Sequence, residues 1–187
     1  MDTELVVRAQ GGDLDAFAAL AAPLYGRLQR IAYAIVGDAG LAEDATQQAM
    51  LDVWRRLPSL RDPARFEAWC YRTLTNACAS EGRRKRRWMR VGLSHPITGS
   101  VASDPFGATA DRDLLDRAFE RLSADQRTVV VLHYYADLTH ERVAEVLDIP
   151  IGTVRSRIHR AMEALRAAID ADERAAAELS ASTEAAR

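Results

Sequence analysis

Apolar residues recur at three- and four-residue steps along most of the chain, the spacing of helices that bury one face. The pattern is sharpest between Leu138 and Arg166. Val143, Ala144 and Leu147 mark a first helix there, Asp148-Ile149-Pro150 a turn, and Val154, Ile158, Ala161, Leu165 and Ile169 the stripe of a second helix. Proline lacks the N–H that would continue the first helix, so the break falls at the turn. Ala144, Asp148 and Val154 satisfy the four-then-six spacing of a helix-turn-helix: a small residue, a turn residue able to go left-handed, and a branched apolar one. Aspartate is a weaker turn residue than glycine, but it tolerates positive φ.

The remaining elements follow in order. Met1 to Ala9 gives a short amphipathic helix broken by Gly11-Gly12. Asp13 is placed to cap a long helix carrying Leu14, Phe17, Ala21, Leu24, Leu28, Ile31 and Ile35, with Pro23 inside it to kink or split it. Gly37-Asp38 ends that helix, and Asp38 caps the next, Ala39 to Leu57. Its buried side is Ala42, Ala45, Ala49, Val53, Trp54 and Leu57, which leaves Glu43, Asp44, Gln47, Gln48, Asp52 and Arg55 outside. Such a face is either solvated or a docking surface, and residue chemistry alone favours the first. After a loop, Asp62-Pro63 opens a helix running to about Arg87, with Phe66, Trp69, Cys70, Thr73 and Ala77 as its core stripe.

Val91 to Ala110 loses all periodicity and is punctuated by glycine, proline and serine, the composition of a linker. Helicity resumes at Asp111 with Leu115, Ala118, Phe119 and Leu122. Ser123 and Gln126 frame a capping box for a helix through Val129, Val130 and Leu132 to Tyr135, and Thr139 caps the helix after it. Residues 170–187 are acidic and alanine-rich, able to extend the last helix or to fray. The expected fold is all-α: two small, separate helical domains, 1–90 and 111–169, joined by a flexible linker at 91–110 and followed by an acidic tail.

Charge sharpens this picture. The net charge of −2 does not advertise nucleic acid, but residues 1–90 hold 14 basic against 11 acidic side chains, and residues 170–187 only 2 against 5. A basic N-terminal half is thus hidden by the rest. In the helix after Pro63, Arg65, Arg72, Asn76, Arg83 and Arg87 stack on one side at spacings of seven, four, seven and four. They cover about 33 Å, close to one turn of duplex DNA. A solvated face is the ordinary explanation of a basic run; an ordered stripe beside Trp69 with an amide in its middle favours a nucleic-acid surface. On the second helix of the helix-turn-helix, Gly152, Arg155, Ser156, His159 and Arg160 lie away from the apolar stripe, where arginine can read guanine edges or pair with phosphate. Gly152 and Thr153 let backbone N–H groups approach a phosphate.

Other chemistry is excluded more simply. Cys70 and Cys78, eight apart in one helix, would sit about 12 Å apart and cannot bridge within it. Two buried reduced thiols, no apolar run of membrane-span length and no signal-peptide pattern lead to the expectation of a cytoplasmic protein without membrane insertion. The four histidines make no metal motif with either cysteine, and no nucleophile–base constellation appears, so neither a cofactor nor an enzymatic activity is expected.

Three segments together, LAEDATQQAMLDVWRRL, RFEAWCYRTLTNACASEGRRKRR and RLSADQRTVVVLHYYADLTHERVAEVLDIPIGTVRSRIHRAMEAL, resemble bacterial extracytoplasmic-function (ECF) sigma factors in content and order over roughly residues 5–169. The resemblance implies roles. Asp44, Gln47, Gln48, Asp52, Trp54 and Arg55 would dock on core RNA polymerase, at the β′ clamp helices, with the β subunit as a further partner. That reverses the solvated reading of their face. The segment from the loop at Leu57 through the following helix would open promoter DNA and hold an extruded base of the −10 element, using Arg61, Arg65, Trp69, Arg72, Asn76, Ser80, Arg83, Arg84 and Arg87. The helix-turn-helix would read the −35 element through Thr153, Arg155, Ser156, Arg157, His159 and Arg160. The linker would thread the polymerase, and an anti-sigma factor would be an inhibitory partner. This chain has Gln48 and Met50 where family members often have Glu and Phe, and Asp148 where they often have Gly. The competing readings are a helix-turn-helix transcription factor independent of polymerase, an enzyme acting on nucleic acid, and an adaptor that binds polymerase without reading promoters.

Overall fold

The computed structural model describes residues 2–90 and 110–185, and every element among them is helical. The helices are α1 (Thr3–Gln10), α2 (Leu14–Val36), α3 (Ala39–Arg56), α4 (Phe66–Arg90), α5 (Ala110–Glu120), α6 (Ala124–Val130), α7 (His140–Leu147) and α8 (Ile151–Ala185). Their starts are set by side-chain caps. Asp13 accepts from Ala16 N–H at 2.9 Å, Asp38 from Leu41 N–H at 3.0 Å and Thr139 from Arg142 N–H at 3.3 Å. Ser123 and Gln126 complete the capping box in both directions. Each cap supplies an acceptor to an N–H that the helix itself cannot satisfy. At the other end of α2, Gly37 takes φ 68° and closes the helix on Tyr33 O at 2.8 Å, a conformation open to it for want of a Cβ.

Pro23 neither splits nor ends α2, which runs unbroken for 23 residues. Both Pro23 and Ala19, whose carbonyl the missing N–H would have bonded, face solvent, so the freed oxygen lies on the wet side. Two short 3₁₀ turns, Leu57–Ser59 and Pro63–Arg65, carry the chain from α3 into α4. The stretch after α6 also departs from the simple helix: Val131–Tyr135 is π-helical, closing with Ala136 N–H on Val131 O at 3.0 Å. The acidic tail extends α8 rather than fraying away from it through Ala185; of the expected linker, 91–110, residues 91–109 lie outside the described residues and Ala110 opens α5.

The N-terminal helices pack around Leu24, Leu28 and Ile31 of α2, Ala45, Ala49 and Val53 of α3, and Phe66, Tyr71 and Leu74 of α4. Small alanines on α3 let it approach α2 and α4 closely. The periodicity reading of α4 needs amending here. Trp69 and Thr73 are only half-buried, while Tyr71 and Leu74 are sealed in the core. In the C-terminal half, α5, α6 and α8 enclose Ala118, Leu122, Val130, Ala161, Leu165 and Ala168. Val146, which the α7 pattern had passed over, is buried together with Val143, Val154 and Ile158.

The two helical domains expected from the sequence are both present, and they pack on one another. The apolar cluster of the N-terminal helices continues through Val129, Val131, Leu132, Ala136, Val143 and Val146, and α2 and α4 pack against α6, the π-turn and α7. Polar contacts at the seam are made largely by arginine. Arg27 donates to Ala136 O at 3.2 Å, Arg30 to Tyr135 Oη at 3.0 Å, and Arg127 to Ile35 O at 3.2 Å. Periodicity reports which face of a helix is buried but not against which partner, so this closure was invisible in the sequence.

Truncating Leu28 to alanine removes a fully enclosed side chain at the centre of the N-terminal core and is expected to cost about 2–5 kcal/mol. Leu14→Ala, at a position 67% exposed on the same helix, is expected to change little. Urea unfolding monitored by circular dichroism compares the two.

Candidate nucleic-acid interface

Three polar surfaces stand on this scaffold. On α4 and the 3₁₀ turn leading into it, Arg65, Arg72, Asn76, Arg83 and Arg87 are all exposed, as their spacing requires, with Ser80 exposed beside them. The helix holds them outward because its opposite side is locked by Phe66, Cys70, Tyr71, Leu74, Ala77 and Cys78. Trp69 sits at the edge of that core, its ring 6.5 Å from Phe66, with one part packed and the other wet. Arg61 is exposed in the turn leading in. Two members of the stripe already hold carboxylates from the C-terminal half. Arg65 Nη1 lies 3.1 Å from Glu145, and Arg72 Nη2 2.9 Å from Asp148. Arg84 leans the other way, bridging Asp44 at 3.0 Å and Glu81 at 2.9 Å.

On α3, Asp44, Gln47, Gln48 and Arg55 are exposed and Asp52 half-exposed, with Leu51 standing among them at 49% exposure. The amides are held along the helix axis: Gln47 donates to Glu43 at 3.1 Å and Gln48 to Asp52 at 3.2 Å. Trp54 is instead turned inward against Phe17, with ring centroids 4.8 Å apart, and so braces α3 on α2. Arg84 therefore joins this face to the α4 surface through Asp44.

On α8, Arg155, His159 and Arg160 are exposed and Thr153 and Ser156 half-exposed near the helix start. Ser156 Oγ donates to Thr153 O at 3.0 Å. Arg157 is turned towards a neighbouring helix. It flanks the buried stripe and pairs with Asp125 of α6 at 2.7 Å, tying the two helices together. His159 lies 3.5 Å from Glu163, an attraction that operates when the imidazole is protonated. Asp148 ends α7 at φ 56°, ψ 47°, the left-handed conformation that a helix-turn-helix asks of this position.

The electrostatic organisation extends to residues that sequence patterns passed over. Arg27 pairs with Glu67 at 2.7 Å while its guanidinium stands 5.5 Å over the Tyr71 ring, and Tyr71 Oη donates to the same carboxylate at 3.0 Å. Burial, then the neighbouring Glu67 charge, pushes the Tyr71 hydroxyl well above its ordinary range, so it stays a donor. Arg127 is shifted down by burial at its seat between the ends of α2 and α5. Asp172 in the tail is shifted down chiefly by its hydrogen bond from Arg117, with Arg121 adding a second contact. A lone arginine in an apolar stripe was the signal available for Arg27; nothing local marked Arg127 or Asp172. Among the described residues, no cluster of three or more histidine, cysteine or acidic side chains could hold a metal, and no helix is long and apolar enough to cross a membrane.

Comparison with known proteins decides among the readings. Residues 20–88 match sigma-70 region 2, and residues 112–165 match sigma-70 region 4. The ECF RNA polymerase sigma factor SigL of Mycobacterium tuberculosis is 36% identical over 163 residues, covering 83% of this chain and 92% of that protein. The chain belongs to the ECF RNA polymerase sigma factors. The sigma-E factor of Escherichia coli is 31% identical over 176 residues, covering 88% of this sigma factor and 92% of the relative. Among solved structures, CnrH in complex with the cytosolic domain of CnrY aligns with a TM-score of 0.67 at 25% identity, over 91% of this chain and 98% of that one. RpoE of Bartonella quintana, crystallised with the anti-sigma factor NepR, shares the fold with a TM-score of 0.71 at 23% identity, over 85% and 99% of the two chains. As a sigma factor, the protein works with RNA polymerase in promoter-specific initiation of transcription.

Both cysteines of this sigma factor are free and buried, and burial pushes each thiol up to about 12 from an ordinary 9.0. Their contribution to stability is intact below pH 9.0 and fades as the pH climbs towards the folded value, because only the unfolded chain then ionises readily. Native protein at pH 8 is expected to give no reaction with a thiol-exchange dye on the timescale of a free thiol, and two equivalents on unfolding.

Proposed function

We propose that this sigma factor divides its work among the three surfaces, with residues 1–90 docking on polymerase and handling the −10 element, residues 111–169 reading the −35 element, and residues 91–110 linking them inside the enzyme. The observation that carries this reading is the α4 stripe: five polar side chains of DNA-binding type, all exposed, on a helix whose other face is sealed. Arg61, Arg65, Arg72, Arg83, Arg84 and Arg87 supply phosphate contacts whose affinity falls with salt, while Asn76, Ser80 and the wet edge of Trp69 meet exposed bases. Unstacking a base costs a few kcal/mol, which those contacts must offset.

On α8, Arg155, Ser156, His159 and Arg160 enter the major groove and Thr153 approaches a phosphate, whereas Arg157 supports them from behind through Asp125. On α3, Asp44, Gln47, Gln48, Asp52 and Arg55 meet the β′ clamp helices, with Leu51 adding apolar area and Trp54 keeping the helix in place. The β subunit is a further contact. Two modest readers on one enzyme raise each other's effective concentration, so neither needs high affinity alone. Bond-making belongs to the polymerase in this reading, and the sigma factor works in the cytoplasm as a recognition subunit without a cofactor. An anti-sigma factor is its expected inhibitor.

In vitro transcription with purified core polymerase tests the division. Asp44→Ala with Gln47→Ala is expected to weaken core binding by about tenfold while leaving the fold intact. Arg83→Ala is expected to spare core binding but to lower open-complex formation and reduce its salt slope by about one. Arg155→Ala should relax discrimination at one −35 position by about 1–3 kcal/mol, whereas Arg157→Ala should lower the melting temperature and leave −35 selectivity intact. Tight, selective promoter binding by the sigma factor without core polymerase would favour the polymerase-independent reading instead.

A further inference from the structure

Gln10 ends α1 and commits both N–H donors of its amide to a bend far along the chain. Its Nε2 donates to Leu57 O at 3.1 Å and to Leu60 O at 2.7 Å, the two ends of the bend that leads out of α3. Leu60 N–H closes the same bend on Leu57 O at 3.1 Å, and Ser59 Oγ donates back to Arg56 O at 2.6 Å. Pro58 has no N–H to contribute, so carbonyls left over beyond α3 need donors from elsewhere. Gln10, half-buried, supplies them from the inner side, while Pro58, Ser59 and Arg61 face solvent. The next turn is pinned separately, by Asp62 accepting from Ala64 N–H at 3.0 Å. Arg61 therefore stands between two fixed bends.

The brace is itself held. Val6 and Ala9 of α1 are buried, and α1 packs against both bends. Just past Gln10, Gly12 takes φ 91° and Arg8 pairs with Asp13 at 2.7 Å, which sets where α1 ends relative to α2. None of this belongs to the segment that matches sigma-70 region 2, which starts at residue 20. An exposed connection is ordinarily the mobile part of a fold, yet this one is tied down by a side chain from α1. We propose that Gln10 is a positioning residue for promoter selection: it presets the Leu57–Leu60 bend, so that Arg61 meets the −10 element without first being ordered. The proposal rests on the reading of this bend as part of the −10 surface. Phosphate contacts carry no sequence information themselves but fix the register in which bases are met. An Arg61 held in one place therefore aligns the strand with Asn76, Ser80 and the wet edge of Trp69, and the ordering cost is met before DNA arrives.

Transcription by the full chain with core polymerase, from a promoter library randomised at each −10 and −35 position, tests the brace. Gln10→Met keeps length and neutrality and removes the donors. It is expected to flatten discrimination within the −10 element by about threefold to tenfold, what one net hydrogen bond is worth. Discrimination at −35 and affinity for core polymerase should stay as in wild type. Gln10→Lys keeps donors at similar reach and should restore most of the loss. Glu4→Gln added to Gln10→Met makes the same change of charge without a donor, on an exposed residue of α1, and should restore nothing. Wild-type −10 discrimination in Gln10→Met would overturn the proposal. So would an equal loss at every promoter position with a lowered melting temperature, or rescue by the charge control as well as by Gln10→Lys. The reading of the bend is checked on its own by Leu60→Ala with Arg61→Ala. If that variant loses −10 discrimination and Gln10→Met does not, the brace alone fails; if neither loses it, the bend is no part of the −10 surface.

Discussion

One guanidinium ties the molecule together. Arg27 reaches three partners on two separate segments at once: the Glu67 carboxylate and Tyr71 ring on α4, and the Ala136 carbonyl at the end of the π-turn. Two of its N–H groups are taken by these partners, and the side chain is open enough for water to meet the rest. The planar fork of arginine makes both bonds from a single position while its face covers a ring, which an ammonium would not do. The N-terminal bundle and the C-terminal half thereby share one electrostatic joint at the middle of α2. Arg127 repeats the device in reverse, reaching from α6 to the last turn of α2.

With that joint in place, the rest of the surface chemistry sorts into two populations of arginine. Some are structural: Arg117, Arg121 and Arg157 clamp α5, α6 and α8 through Asp172 and Asp125. Others stand on faces where nothing in their own helix needs them. The stripe on α4 and the pair Arg155 and Arg160 on α8 are of this second kind. Exposure does not separate the two, since Arg117 and Arg121 are as open as Arg65 and Arg72; the partner does, a carboxylate of their own half for the first pair and one from across the seam for the second.

Much of this was readable in advance. Caps at Asp13, Asp38, Ser123 and Thr139, the left-handed turn at Asp148 and the exposed alignment of Arg65 with Arg87 are all local, depending on neighbours within a turn or two of helix. A docking role for the polar face of α3 comes from the family resemblance alone, because a solvated surface and a docking surface have the same composition. What could not be read was long-range. Tyr71 looks like a surface residue until Glu67 is seen to accept from its hydroxyl and Arg27 to cover its ring; that Arg157 ties α8 to α6 is invisible until Asp125 is found beside it. The closure of the two halves follows from which buried faces meet, and helical periodicity is silent on that.

The tail gives α8 a mechanical property that its composition hides. As one unbroken helix of 35 residues it is a rod about 50 Å long. Its first turns carry Arg155 and Arg160, while Arg117 and Arg121 grip it at Asp172, about 25 Å further along the axis. The near end is held as well: Val154 and Ile158 are buried there and Arg157 pairs with Asp125, so the rod is pinned at both ends of this span and Arg155 and Arg160 keep one fixed direction.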